Sequence, residues 1–169
     1  MRRPFLAGFF LLCVAAQAIA YPLTPENVAA DLVKRNPATV IADLSKSGRY
    51  DKILNRLGRG QQKWISLAPA LAKGTDAGTS ESLVFALATA LPNNPRAVLS
   101  ILKAGDSPLL TTDQVCSPPM IEPTKRQLSS YFKRTIAGLS RVTGAELSDV
   151  KTACLNRLEK VKAMPRDPG

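Results

Sequence analysis

The chain has 169 residues, 45% of them hydrophobic, no histidine and a formal charge of +10. The missing histidine excludes Ser-His-Asp and Cys-His catalysis, and three cysteines in all leave too few ligands for the usual zinc sites. No phosphate-binding loop, dinucleotide fingerprint or EF-hand loop occurs either.

Residues 1–20 read as a cleaved secretory signal peptide. Arg2 and Arg3 supply the positive start, Phe5 to Ala16 the uncharged apolar core, and Ala18-Ile19-Ala20 the small-x-small cleavage pattern. Lipidation at Cys13 is disfavoured, because Leu12 stands where a small residue normally precedes the modified cysteine. Cleavage leaves a chain starting at Tyr21, with no transmembrane segment and a charge of +8 once the two leader arginines are gone. The periplasm is the expected destination, ahead of full secretion. Residues 21–163 are expected to form a single helical domain, and 164–169 a frayed tail.

In the mature chain only Cys116 and Cys154 remain. An even pair in an exported protein predicts one disulfide.

Taken in order, Thr24-Pro25-Glu26 is a helix start, with a capping hydroxyl, proline at the first position and an acid against the dipole. Val28 and Leu32 mark its inner face. Asn36 before Pro37 caps a second helix with Val40, Ile41 and Leu44 inward, ending near Gly48. Tyr50, Ile53, Leu54 and Leu57 keep the helical period through a third. A fourth carries Trp64, Leu67, Ala68 and Leu71, and Pro69 is expected to kink or split it. Gly74 is its predicted stop.

The apolar run Leu83 to Leu91, uncharged and far too short to span a bilayer, predicts a buried central helix starting near Ser80. Thr79 or Ser80 is its expected cap. Asn94-Pro95 opens a sixth helix, with Val98, Leu99 and Leu102 inward and an end at Gly105. It echoes Asn36-Pro37 at a distance of 58 residues, but two copies are too few for a solenoid. The proline-rich stretch 106–123 reads as a long loop with one helical turn around Thr112 to Cys116, pinned by the disulfide. Two longer helices follow, on the stripes Leu128, Tyr131, Phe132, Ile136, Leu139 and Leu147, Val150, Cys154, Leu158, Val161. The fold class is therefore all-α: a single irregular bundle of about seven to eight short helices around a buried central helix, with one disulfide.

Two candidate sites stand out. The first is a basic face, Arg126, Lys133, Arg134 and Arg141, within a C-terminal region that carries ten basic against four acidic residues from Thr124 to Gly169. It suits an acidic protein or an anionic envelope component. Nucleic acid is not expected, because export removes that target and aromatic residues make up only 5% of the chain. The second is a polar loop, Thr75, Asp76, Thr79 and Ser80, at a helix N-terminus that suits a small anion, although ordinary capping accounts for the same residues. Asp76, Glu81 and Glu122 are the carboxylates that a glycan hydrolase would draw on. No cofactor, metal site or catalytic residue is expected. The leading functional expectation is a non-enzymatic exported protein that binds another macromolecule, as an inhibitor of an envelope enzyme or an immunity-type protein does. A cell-wall glycan hydrolase and a small-ligand carrier are the alternatives.

Overall fold

The computed structural model describes residues 21–104 and 107–164. The expected signal peptide with Cys13, the expected helix stop at Gly105 and the part of the expected tail from Pro165 onward lie outside them. Within the described residues the chain forms ten α-helical segments, one 3-10 turn and no strand.

The first two helices begin as their caps dictate. Thr24 Oγ1 accepts from Asn27 N at 3.2 Å ahead of α1 (Pro25–Lys34). Asn36 Oδ1 accepts from Ala38 N at 2.9 Å ahead of α2 (Pro37–Lys46). Gly48, in the left-handed region at φ 64°, turns the chain into α3 (Arg49–Gly58). The expected fourth helix is split at Pro69 into α4 (Gln62–Ile65) and α5 (Ala68–Ala72). Proline is tolerated in the first turn of α5, where its missing N–H has no intrahelical partner to lose.

Gly74 follows α5 for a reason other than helix termination. Its φ is not positive, so it makes no left-handed cap. Instead its Cα packs on the start of α2, where an added Cβ would overlap the Pro37 carbonyl and lie 2.9 Å from Ala38 N.

The central helix α6 (Ala77–Ala90) starts one turn earlier than expected, and its cap is neither Thr79 nor Ser80. Asp76 Oδ1 accepts from Thr79 N at 2.9 Å, and Thr79 Oγ1 accepts from Asp76 N at 2.9 Å. A reciprocal capping box of this kind satisfies two otherwise orphaned backbone donors at once. Asn94 then caps α7 (Pro95–Ala104) through Ala97 N at 3.2 Å. The proline-rich stretch contains the single turn α8 (Thr112–Val115), and Thr124 and Gln127 form a second capping box at α9 (Lys125–Ser140). A 3-10 turn at Ala145–Leu147 leads into α10 (Ser148–Ala163).

α6 is the hub, touching α3, α5, α7 and α8. Leu83, Leu87 and Leu91 are fully buried and share one hydrophobic cluster with Ile53 and Leu57 of α3, Val98 and Leu99 of α7, Leu139 of α9 and Leu158 of α10. Each such leucine contributes about 2 kcal/mol by leaving water.

α3 and α6 run parallel. Near their N-termini the Tyr50 hydroxyl donates to Thr79 O at 2.9 Å. At their C-termini Asn93 Nδ2 donates to Gly58 O at 2.8 Å and Asn94 Nδ2 to Gly60 O at 2.9 Å. Cys116 and Cys154 are bonded, with Cα atoms 5.4 Å apart and both residues fully buried. The bond fixes the segment between α8 and α9 to α10, and Arg157 Nε adds a hydrogen bond to Ser117 Oγ at 3.3 Å.

Candidate functional site

One stripe of the hub helix is left uncovered. Ser82, Phe85 and Thr89, spaced by three and four residues, are exposed on α6. Phe85 is 44% accessible although it sits within the longest apolar run of the described residues. Beside it α3 contributes Leu54 and Gly58, and the disulfide-tethered segment brings over Ile121, which is 88% accessible. Together they enclose a groove of about 750 Å³. Gly58 lines the α3 wall, where an added Cβ would make ordinary contact with the Thr89 methyl group at 3.4 Å.

The rim of this groove is charged unevenly. Asp51 and Glu81 line the end where α3 and α6 begin, and Arg59 lines the end where α3 stops. Among the described residues none of the three takes part in an ion pair. Both carboxylates are exposed, whereas the acid of a glycosidase sits in an apolar pocket that raises its affinity for the proton.

The residues singled out in the sequence take different positions. In the polar loop, the Thr75 hydroxyl donates to Ala72 O at 2.9 Å and the Ser80 hydroxyl to Ala77 O at 2.8 Å, while Asp76 and Thr79 form the capping box. Every hydroxyl there has a local partner. The Thr79 hydroxyl, and then the Thr79 backbone N–H, hold the Asp76 carboxyl below its usual pKa. The Tyr50 hydroxyl is pushed above its usual range by burial first, and then by the charges of Asp76 and Asp51. Of the three candidate carboxylates, only Glu81 lines the groove. Glu122 is exposed on the tethered segment with a positive φ of 47°, next to Ile121.

The basic face on α9 is exposed but does not converge on one feature. Arg134 donates to Asn93 Oδ1 at 2.8 Å, and the same side chain of Asn93 clamps Gly58. Arg134 therefore braces the parallel helix pair. Arg141 lines a shallow depression with Pro92 and Pro95. Lys133 turns toward α10 and joins Lys125 and Lys162 around a cleft. Arg126 lines neither hollow.

Reading the sequence missed Asp51, Arg59, Phe85 and Ile121 as groove residues. The i, i+3, i+7 spacing of Ser82, Phe85 and Thr89 is the signal that marks an uncovered stripe. Among the described residues no group of three or more His, Cys, Asp or Glu side chains is placed to hold a metal ion, and no helix is long and apolar enough to cross a membrane. No family model, curated protein or solved structure matches the chain.

Proposed function

We propose that the protein is exported to the periplasm and acts there by binding another protein, not by catalysis, with the groove between α3 and α6 as the contact surface. The observation that carries this reading is Phe85, a large apolar side chain held open on the hub helix beside Leu54 and Ile121. Exposed aromatic and aliphatic groups over a concave apolar floor are the usual anchors of protein interfaces. The leader-like residues 1–20 and the buried Cys116–Cys154 bond support an oxidising destination.

The occupant that fits is an amphipathic helix of the partner, laid along the groove. Asp51 and Arg59 are eight residues apart on α3, about 12 Å at the helical rise. A helix with apolar residues along one face, a Lys or Arg toward the Asp51 and Glu81 end, and an Asp or Glu two turns away matches both ends. Charge complementarity of this kind sets register and specificity more than affinity.

A photo-crosslinking amino acid at position 85 tests the assignment, with position 33, also highly exposed but on α1, as control. A discrete adduct should form in cells from position 85 and not from 33, and it should disappear on adding Arg59→Glu. The adducted peptide should carry the charge pattern above. Equal labelling from both positions, or none from 85, would remove the groove from consideration.

A further inference from the structure

A second hollow lies away from the α3–α6 groove, between α9 and α10. The two helices run antiparallel, with Lys151 Nζ donating to Val142 O at 3.0 Å where one ends and the other begins. At their opposite ends they part to form a cleft of about 430 Å³. Leu128, Phe132 and Ile136 form one wall at i, i+4 and i+8 of α9, with Leu128 and Phe132 nearly buried. Lys125 and Lys133 stand over that wall, and Lys162 reaches it from the last turn of α10. Among the described residues no carboxylate lines the cleft, and none of the three lysines is in an ion pair.

Three like charges around one apolar slot repel one another, and an anion placed between them relieves that repulsion. A bare anion would leave the Leu128, Phe132 and Ile136 wall wet, whereas an uncharged alkyl chain would leave the lysines unanswered. The volume falls within the range of small-ligand sites, roughly 300–1,000 Å³. We infer that this cleft binds a single-chain amphiphile with an anionic head, the alkyl chain against Phe132 and Ile136 and the carboxylate, phosphate or sulfate head among Lys125, Lys133 and Lys162. The same chemistry is offered by a free fatty acid and by an anionic lipid within a bilayer.

Titration calorimetry with dodecanoate below its micellar concentration tests this, with dodecyl maltoside, inorganic phosphate and phosphatidylglycerol vesicles as parallel arms. Dodecanoate should bind saturably at one site, and binding should weaken about tenfold or more in Lys125→Gln/Lys133→Gln/Lys162→Gln, because charge-assisted contacts are the strong ones. These lysines are exposed, so the variant should keep its helical circular dichroism and melting temperature. Ile136→Asp should abolish dodecanoate binding from the apolar side. Vesicle binding with the same lysine dependence, in addition to dodecanoate, would identify a bilayer as a second source of the ligand. The proposal fails if phosphate or dodecyl maltoside binds as tightly as dodecanoate. It fails equally if the triple variant binds unchanged, or if vesicles bind and dodecanoate does not.

Discussion

The Cys116–Cys154 bond closes a loop of 38 residues, and its removal gives the sharpest test of how the C-terminal half is held. In the chain-entropy description a cross-link of that span restricts the unfolded ensemble by about 4 kcal/mol at 25 °C. A domain of this size loses roughly 3–4 °C of melting temperature per kcal/mol, so Cys116→Ala/Cys154→Ala should melt about 12–16 °C lower. Urea titration should also give a larger m-value for the variant, because its unfolded chain expands further. Both cysteines are fully buried, so reductant added to the folded wild type should act slowly, at the pace of opening. Hydrogen exchange should locate the first loosening at 117–124, the segment the bond ties to α10. A melting temperature within about 4 °C of wild type, with an unchanged m-value, would refute the reasoning and show that packing alone holds that segment.

Three further perturbations test individual contacts. Gly74→Ala forces a methyl group into the Pro37 carbonyl, a backbone neighbour that cannot swing aside; it should destabilise by roughly 2–3 kcal/mol, and a neutral result in urea melts would mean that α2 and α5 do not meet there. Thr135 is fully buried and among the described residues its hydroxyl makes no hydrogen bond of ordinary geometry, although it lies close enough to the Tyr131 hydroxyl to counter the rise that burial gives that group's pKa. The near-isosteric Thr135→Val should stabilise by about 1 kcal/mol, and a loss of stability would assign the hydroxyl a bond to Tyr131. Asp76 has a depressed folded pKa, so its contribution is present above the ordinary value of 3.8 and is lost as pH falls through the lower folded value. Asp76→Asn keeps an acceptor for Thr79 N but does not titrate, so the stability gap between wild type and variant should narrow between pH 6 and pH 3; parallel curves would assign the acid sensitivity elsewhere.

Much of the fold is legible in short stretches because capping is local chemistry. Thr24, Asn36 and Asn94 each open a helix with the side chain that the sequence points to. Pro69 splits its helix for an equally local reason. At the hub the local signal is degenerate. Asp76, Thr79 and Ser80 are all competent caps, and only the reciprocal bond between Asp76 and Thr79 selects the first. Gly74 illustrates the other limit, since its reason for being glycine lies 37 positions earlier, at Pro37. The groove was hidden for a related reason. On a helix that is apolar almost all round only the hydroxyls of Ser82 and Thr89 give contrast by which to find the open face, and the neighbour that completes the groove, Ile121, arrives by way of a disulfide. Arg134 shows the reverse error, since a charge on an apparently solvated face is engaged in bracing a turn.

The parallel arrangement of α3 and α6 also constrains the order of folding. Parallel neighbours cannot be joined by a tight turn, and here α4 and α5 form the return path. The contacts that align the pair, Tyr50 with Thr79 and Gly58 with Asn93, are separated by 29 and 35 residues. Closing a loop of that length must precede the reward of the contacts it creates. During synthesis α2 and α4 can pack on α3 as they emerge, but the part of its apolar stripe that α6 covers has no permanent partner until residue 94 has emerged. Over that interval the nascent chain presents Ile53 and Leu57 to solvent, or to whatever factor accompanies it. Its first half stays open until the hub helix arrives to complete it.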